Sequence, residues 1–308
     1  MKKYLLFILL IGILFNGMAF NGGGKKSKGK ESQDSITDAL NYLFLVDSVE
    51  KSLNYQTGKV SLNQQNVSLN IPDGFKYLNA EQTKFVLNQI FKNPKDESIL
   101  GSIWPAQSTL LDNSYIFTIS YEDLGYIKDE DAKDTDYDEL LKNMKESVVE
   151  GNKERLASGY QTYELIGWAK SPFYDEKQKV LHWAKEVKFG DDTTNVLNYE
   201  VRILGRKGVL SLTAISTMND LPLVNSELDK VLSMASFTEG NKYSDFDSSS
   251  DRIAEYTIGG LIAGKVLAKV GFFALIAKFG KIIVVAVIAF IVGIFRKITG
   301  KKTVDDNE

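Results

Sequence analysis

Residues 163–215 read YELIGWAKSPFYDEKQKVLHWAKEVKFGDDTTNVLNYEVRILGRKGVLSLTAI, and this stretch decides the fold. Apolar and β-branched side chains cluster in Tyr163–Trp168, Val180–Phe189, Val196–Leu204 and Val209–Ile215. The intervals carry turn residues: Ser171-Pro172 with Asp175, then Gly190-Asp191-Asp192, then Gly205-Arg206-Lys207-Gly208. Such spacing predicts four strands, because Gly, Pro and Asp supply the backbone angles and local hydrogen bonds that turns need. Strands joined by connections this short must run antiparallel, since a parallel crossover takes a dozen residues or more. The region is therefore expected to be a β-meander.

Outward from the meander the pattern mixes strands and helices. Val60 and Leu62, then Val67, Leu69 and Ile71, alternate with polar residues at period two, with Asn63–Asn66 as the turn between them. Pro72-Asp73-Gly74 ends that pair, and Phe75–Leu78 make a short third piece. A helix is expected from Asn79, a favoured N-cap with Gln82 at the capping-box spacing. Its buried stripe would be Phe85, Val86, Ile90 and Phe91, and Asn93-Pro94 would stop it. Ile116–Ser120 reads as a further strand. A second helix should run from Tyr137 to Leu156, capped by Asp136, with Leu140, Leu141, Met144, Val148 and Val149 at helical spacing. Leu221–Met234 supplies a third, and Ile36–Val49 a short peripheral one. The expected class is α+β: an antiparallel sheet with two or three packing helices, plus a C-terminal transmembrane helix or helical hairpin.

Charge and hydropathy set the ends apart from this body. Residues 256–308 hold eight Lys/Arg against three Asp/Glu, whereas residues 20–255 hold 27 basic and 37 acidic side chains. An acidic body on a basic foot argues against nucleic-acid binding and suits a foot beside anionic lipid. Residues 1–20 have the form of a secretory signal: Lys2-Lys3, an apolar run from Tyr4 to Phe15, then Gly17-Met18-Ala19 for cleavage. Cleavage and retention as an anchor are both open. Residues 21–34, rich in Gly and Lys, should be unstructured, and residues 21–57 as a whole form a linker with the short helix. The body spans 58–240, an acidic stalk 241–255, a membrane-anchoring region 256–297 and a polar tail 298–308.

From Gly271 to Phe295 only Lys278 and Lys281 interrupt the apolar run, which as helix would be roughly 37 Å long. That exceeds the ~30 Å hydrocarbon core of a bilayer. Gly271, Ile282, Val284, Phe290, Phe295, Arg296 and Lys297 mark the anchor. The basic cluster Arg296-Lys297 with Lys301-Lys302 puts the C-terminus in the cytoplasm and the body outside. One span from about residue 278, or two short helices turning at Phe279-Gly280, both satisfy the pattern. Gly259–Lys265 matches the first seven positions of a phosphate-binding loop, but the eighth is Val266 and no strand pattern precedes it. Nucleotide binding is rejected, and Gly260 and Gly264 read as small residues for close helix packing.

Five further stretches occur in order: Gly125–Ala132 (GYIKDEDA), Gly167-Trp168 with Pro172–Asp175 (PFYD), Leu181–Glu186 (LHWAKE), Asn198–Arg206 (NYEVRILGR) and Tyr243–Asp247 (YSDFD). Together they resemble the bacterial membrane-anchored proteins grouped as domain of unknown function 2167, over roughly residues 60–290. The resemblance implies a bacterial, extracytoplasmic, membrane-anchored protein. It implies no activity, so it assigns no catalytic residue.

Chemistry-bearing residues are sparse. There is no cysteine, which removes disulfides, thiolate metal sites, cysteine nucleophiles and a lipoprotein anchor. His182 is the single histidine, and one histidine cannot build a triad or a His-based metal centre with the partners present. On a strand it should face away from Leu181 and Trp183. Seven acidic residues crowd the eleven positions 129–139, which suits a solvated approach to a helix N-terminus. Asp245, Asp247, Ser249 and Asp251 place oxygens at positions 1, 3, 5 and 7, like the start of a Ca²⁺ loop. Ser250 stands where a glycine is expected and Tyr256 where a bidentate Glu is expected. Weak Ca²⁺ binding there is the metal expectation, and no cofactor is implied. Trp168, Trp183, Tyr174 and Tyr199 read as packing aromatics or as the walls of a groove. The functional expectation is a binding or scaffolding module, the alternative an envelope hydrolase using Asp/Glu pairs. Its partners would be the lipid bilayer and another envelope protein, with neither nucleic acid nor nucleotide, at the bacterial inner membrane.

Overall fold

The computed structural model describes residues 28–112 and 114–264. In chain order these form α1 (Lys28–Ser52), β1 (Gly58–Leu62), β2 (Val67–Ile71), β3 (Phe75–Asn79), α2 (Ala80–Phe85), β4 (Ile99–Pro105) and β5 (Ile116–Glu122). There follow α3 (Tyr137–Ala157), β6 (Tyr163–Asp175), β7 (Val180–Phe189), β8 (Val196–Leu204), β9 (Val209–Thr217), α4 (Leu221–Met234), β10 (Ala235–Phe237) and α5 (Ile258–Ala263). Seven strands make one antiparallel sheet in the order β3-β4-β5-β9-β8-β7-β6, and β1-β2-β10 make a smaller one. The class is α+β, as the sequence implied.

Strand alternation assigns the two faces of the large sheet. Leu210, Leu212 and Ala214 of β9, with Leu197, Tyr199 and Val201 of β8, point toward α4 and the small sheet. Val224, Leu228, Val231 and Met234 of α4 close that layer over Val67, Leu69 and Ile71. The opposite face carries two separate cores. Leu181, Trp183 and Val187 lie under α3 and α5 at one end, while Trp104 and Ile116 lie under α1 and α2 at the other. The strip between these helix blocks is floored by polar side chains.

Cap chemistry places the helices. Asn79 Oδ1 accepts the Gln82 amide at 3.0 Å and starts α2. Asp136 Oδ1 accepts the amides of Asp138 and Glu139, both at 3.0 Å, and starts α3. Replacing Asp136 by alanine leaves both amides without that acceptor and is expected to cost about 1 kcal/mol. Urea unfolding checks this: an unchanged midpoint would mean that water caps the helix equally well.

Several expectations change in contact with the structure. Residues 28–34, expected to be unstructured, begin α1, whose burial of Val46 and Val49 anchors a helix that its Lys, Glu and Gln residues can prolong. After Phe85 the helix passes into a π turn, Val86–Ile90, which shifts the side-chain phase by a residue. Leu87 is buried in consequence and Phe85 is 46% exposed. Val149 likewise stays outside the core, while Leu140 and Met144 enter it. Ser171-Pro172 does not turn the chain, because β6 continues to Asp175 through three shifts of register against β7. Edge position explains this: Pro172 lacks an amide proton, and the outer side of an edge strand needs none. The turn lies at 176–179, where Lys179 adopts φ +58°.

Candidate functional site: a motif corner and a polar valley

Four of the sequence stretches singled out above meet at one corner of the molecule. Asp129 is the hub. Its Oδ2 accepts hydrogen bonds from the Tyr174 hydroxyl at 2.6 Å and from Lys179 Nζ at 2.7 Å. The Tyr243 hydroxyl lies 2.9 Å from Asp129 Oδ1 and 2.9 Å from the Ile127 carbonyl, and shares its proton between them. Burial alone would raise the Asp129 carboxyl, but Lys179, Tyr174 and Tyr243 outweigh it and hold the group below the ordinary carboxylate range. Burial and the hydrogen bonds to this anion push the hydroxyls of Tyr174 and Tyr243 far up. The Tyr126 ring stacks between Tyr243 at 4.5 Å and Phe246 at 3.9 Å.

This corner fastens the C-terminal part of the described chain to the body. Tyr126 exchanges backbone hydrogen bonds with Arg252 and Ala254, each 2.8 Å. Arg206 grips Asp251 with two bonds, Nε to Oδ2 at 2.6 Å and Nη2 to Oδ1 at 3.1 Å. Asp131 Oδ2 accepts the Ile258 amide at 3.0 Å, and the Thr257 hydroxyl caps α5 through the Gly260 amide at 2.9 Å. The acidic run of residues 129–139 therefore supplies a hub, a tie to α5 and a helix cap. Ile258, Leu261 and Ile262, expected to begin the membrane-anchoring region, are buried in the body beside α3. An amphipathic reading of short apolar stretches cannot tell these two burials apart.

The four oxygen-bearing residues of the 245–251 loop do not share one focus. Asp251 is taken by Arg206. Asp245 Oδ2 accepts the Lys242 amide at 2.9 Å, and Asp247 accepts from the amide and hydroxyl of Ser249 and the hydroxyl of Ser250. Those bonds hold the Asp247 carboxyl below its ordinary range, and Arg206 does the same for Asp251. Among the described residues no group of three or more His, Cys, Asp or Glu side chains is placed to hold a metal ion. His182 faces away from Leu181 and Trp183, as expected, with its ring 6.3 Å from Phe173. Burial, reinforced by Lys170, depresses its pKa, so the imidazole is neutral at pH 7. Gly259 and Gly260 are buried in α5, and Gly264 ends that helix at φ +67°. The anchor residues Gly271, Ile282, Val284, Phe290, Phe295, Arg296 and Lys297 lie outside the described residues. Among the described residues no helix is long and apolar enough to cross a membrane.

A second constellation lies in the strip between the helix blocks. Strand pairing aligns Thr118, Thr213, Glu200 and Trp183 in one row and Ser120, Ser211 and Arg202 in the next. Glu200 holds Lys185 Nζ at 2.6 Å, while Arg202 reaches Glu122 at 3.3 Å and Glu200 at 3.6 Å. The Arg202 guanidinium lies 5.5 Å from the Trp183 ring centroid. Burial would raise the Glu200 carboxyl, yet the two cations outweigh it and keep it ionised. Beside this floor a groove of about 470 Å³ opens between β5, β9 and the segment after α2, with Lys84, Asn88, Asn93 and Lys95 on its walls. Sequence reading placed Lys185, Asn198, Glu200 and Arg202 inside motifs and Trp183 among packing or groove aromatics, but gave them no shared role. Asn198, Glu200 and Arg202 alternate with Leu197, Tyr199 and Val201, which is also the signature of a plain solvent face.

Comparison with known proteins agrees with the motifs. The family described as Protein of unknown function (DUF2167) matches residues 54–292, and the chain belongs to it. No curated protein matches in sequence. Among solved structures, the cyanobacterial PsbP protein (CyanoP) of Synechocystis sp. PCC 6803 aligns at 11% identity and a TM-score of 0.36, covering 60% of this chain and 93% of its own. The Ran-binding protein Mog1p of Saccharomyces cerevisiae aligns at 10% identity and a TM-score of 0.29, covering 63% of this chain and all of its own. At such scores neither informs the function.

Proposed function

We propose that this DUF2167 protein is a binding or scaffolding module of the bacterial envelope. Residues 271–297 hold it in the cytoplasmic membrane, and its α+β body lies on the extracytoplasmic side. The apolar run closed by Arg296 and Lys297 supports the anchor, and the signal-like residues 1–20 support the side. The observation that carries binding over hydrolysis is the state of the carboxylates that build the corner and the valley. General acid–base work needs a group whose pKa lies near the working pH. Asp129, Glu200 and Asp251 are each held below the ordinary carboxylate range by a cationic partner. They serve as fixed anions that shape a surface.

Full-length protein in intact spheroplasts tests the placement. The chain is expected to pellet with membranes, to resist carbonate extraction, and to lose its body to protease added outside. A body protected until the cells are lysed, or a chain released by carbonate, would overturn it.

A further inference from the structure

We propose that the helix-covered face of the large sheet, the side on which α1, α2, α3 and α5 pack, lies against the surface of the bilayer. This orientation rests on the membrane placement proposed above and adds which side of the body meets lipid. Among the described residues nine large apolar side chains are exposed, and six of them stand on three of these helices: Leu40, Phe44 and Leu45 on α1, Phe85 on α2, Val149 and Leu156 on α3. The helix on the other face, α4, contributes Leu223 alone. Single exposed apolar residues are ordinary, whereas a set gathered on one side marks an interaction surface.

Helical phase shows that these side chains point away from the sheet. α1 seats on the body through Val46 and Val49, and α3 through Leu140 and Met144. At about 100° per residue, Phe44 stands about 160° round α1 from Val46, and Val149 about 140° round α3 from Met144. The two are 72% and 67% exposed. Their helices sit at opposite ends of the sheet, so a flat surface resting on both would roof the polar valley between them.

Where the chain goes next says what that surface is. α5 packs on the same face and ends at Ala263, and the apolar run begins at Gly271. The steps between them reach no more than about 30 Å when fully extended, less than the width of a body of about 200 residues. A tether that short, leaving from this face, brings this face to the bilayer rather than the α4 side. On α3, Lys145 and Lys153 are interleaved with Glu146, Glu150 and Glu154, so the contact draws on apolar insertion and not on lipid charge.

The chain has no cysteine, so one introduced cysteine carries one nitroxide without background. Full-length Phe44→Cys and Val149→Cys, labelled and placed in phosphatidylcholine nanodiscs, are read by collision with oxygen, which concentrates in lipid, and with a water-soluble nickel chelate. Leu223→Cys on α4 is the reference. All three side chains are exposed, so the fold should persist. Labels at 44 and 149 should collide with nickel several-fold less than the label at 223, and with oxygen more. The same order is expected in discs that contain phosphatidylglycerol. If the chain enters the discs but positions 44 and 149 meet nickel as freely as 223, this orientation falls while the anchor stands. Exclusion of both quenchers from 44 and 149 would mean that protein covers them, and would overturn it as well. A chain that stays out of the discs overturns the membrane placement itself.

Discussion

Replacing Glu200 by glutamine is expected to cost about 3 kcal/mol at pH 7, because the largely buried Lys185 loses its counter-ion while Arg202 keeps only Glu122. The side chains of Glu200, Lys185 and Arg202 are 12%, 20% and 13% exposed, so water can repair little of the loss. Glutamine keeps the volume and one carbonyl acceptor, which isolates charge from packing. The pH dependence follows from the depressed carboxyl. A group whose folded pKa lies below its unfolded value adds stability above that unfolded value, about 4.3 for Glu, and loses it as pH falls through the folded value. The gap between wild type and Glu200→Gln should therefore be full at neutral pH and close in acid. Denaturant unfolding across that range measures it. A gap below about 1 kcal/mol at pH 7 would mean that the ion pair is solvated like a surface pair.

The same residues show where sequence reading stops. The meander was legible because Gly205–Gly208 and Gly190–Asp192 set its turns and each strand alternates on its own. The caps at Asn79 and Asp136 were legible because they are local. β4 was missed, since Ile99, Ile103 and Trp104 are buried on both faces and Gly101 bulges the pairing, so no period-two signal survives. Pro172 misled because edge or centre is a property of the sheet, not of the strand. The valley was invisible for a related reason. Period two reports that Glu200 and Ser211 share a face, but not that α2 and α3 stand on either side of it. At the corner, the motifs told which stretches belong together and withheld why: Asp129, Tyr174, Arg206 and Tyr243 are separated by up to 114 positions.

Gly125→Ala should loosen the corner more than any other single methyl added there. Gly125 adopts φ +90°, and a Cβ at this position would stand 2.6 Å from the Arg252 carbonyl oxygen and 3.2 Å from the Ala254 amide. Both contacts are backbone, so the 252–254 segment must move. Left-handed strain adds about 1–3 kcal/mol to that clash. Against it stands the burial of Ile258, Leu261 and Ile262, each worth about 1.5–3 kcal/mol. The apolar contribution is the larger, so α5 should stay docked while residues 243–254 fray and the Tyr126 stack with Tyr243 and Phe246 opens. Hydrogen exchange on full-length protein should then show faster exchange in 243–254, with 258–263 and the central strands still protected. Gly240→Ala separates the two causes. Gly240 has φ +79°, but a Cβ added there would meet no atom within 4 Å, so its substitution carries the backbone strain without the clash. If both variants free 243–254 equally, steric closeness at Gly125 is not what holds the corner shut. If neither does, the segment is held by Arg206–Asp251 and the Asp129 hub alone.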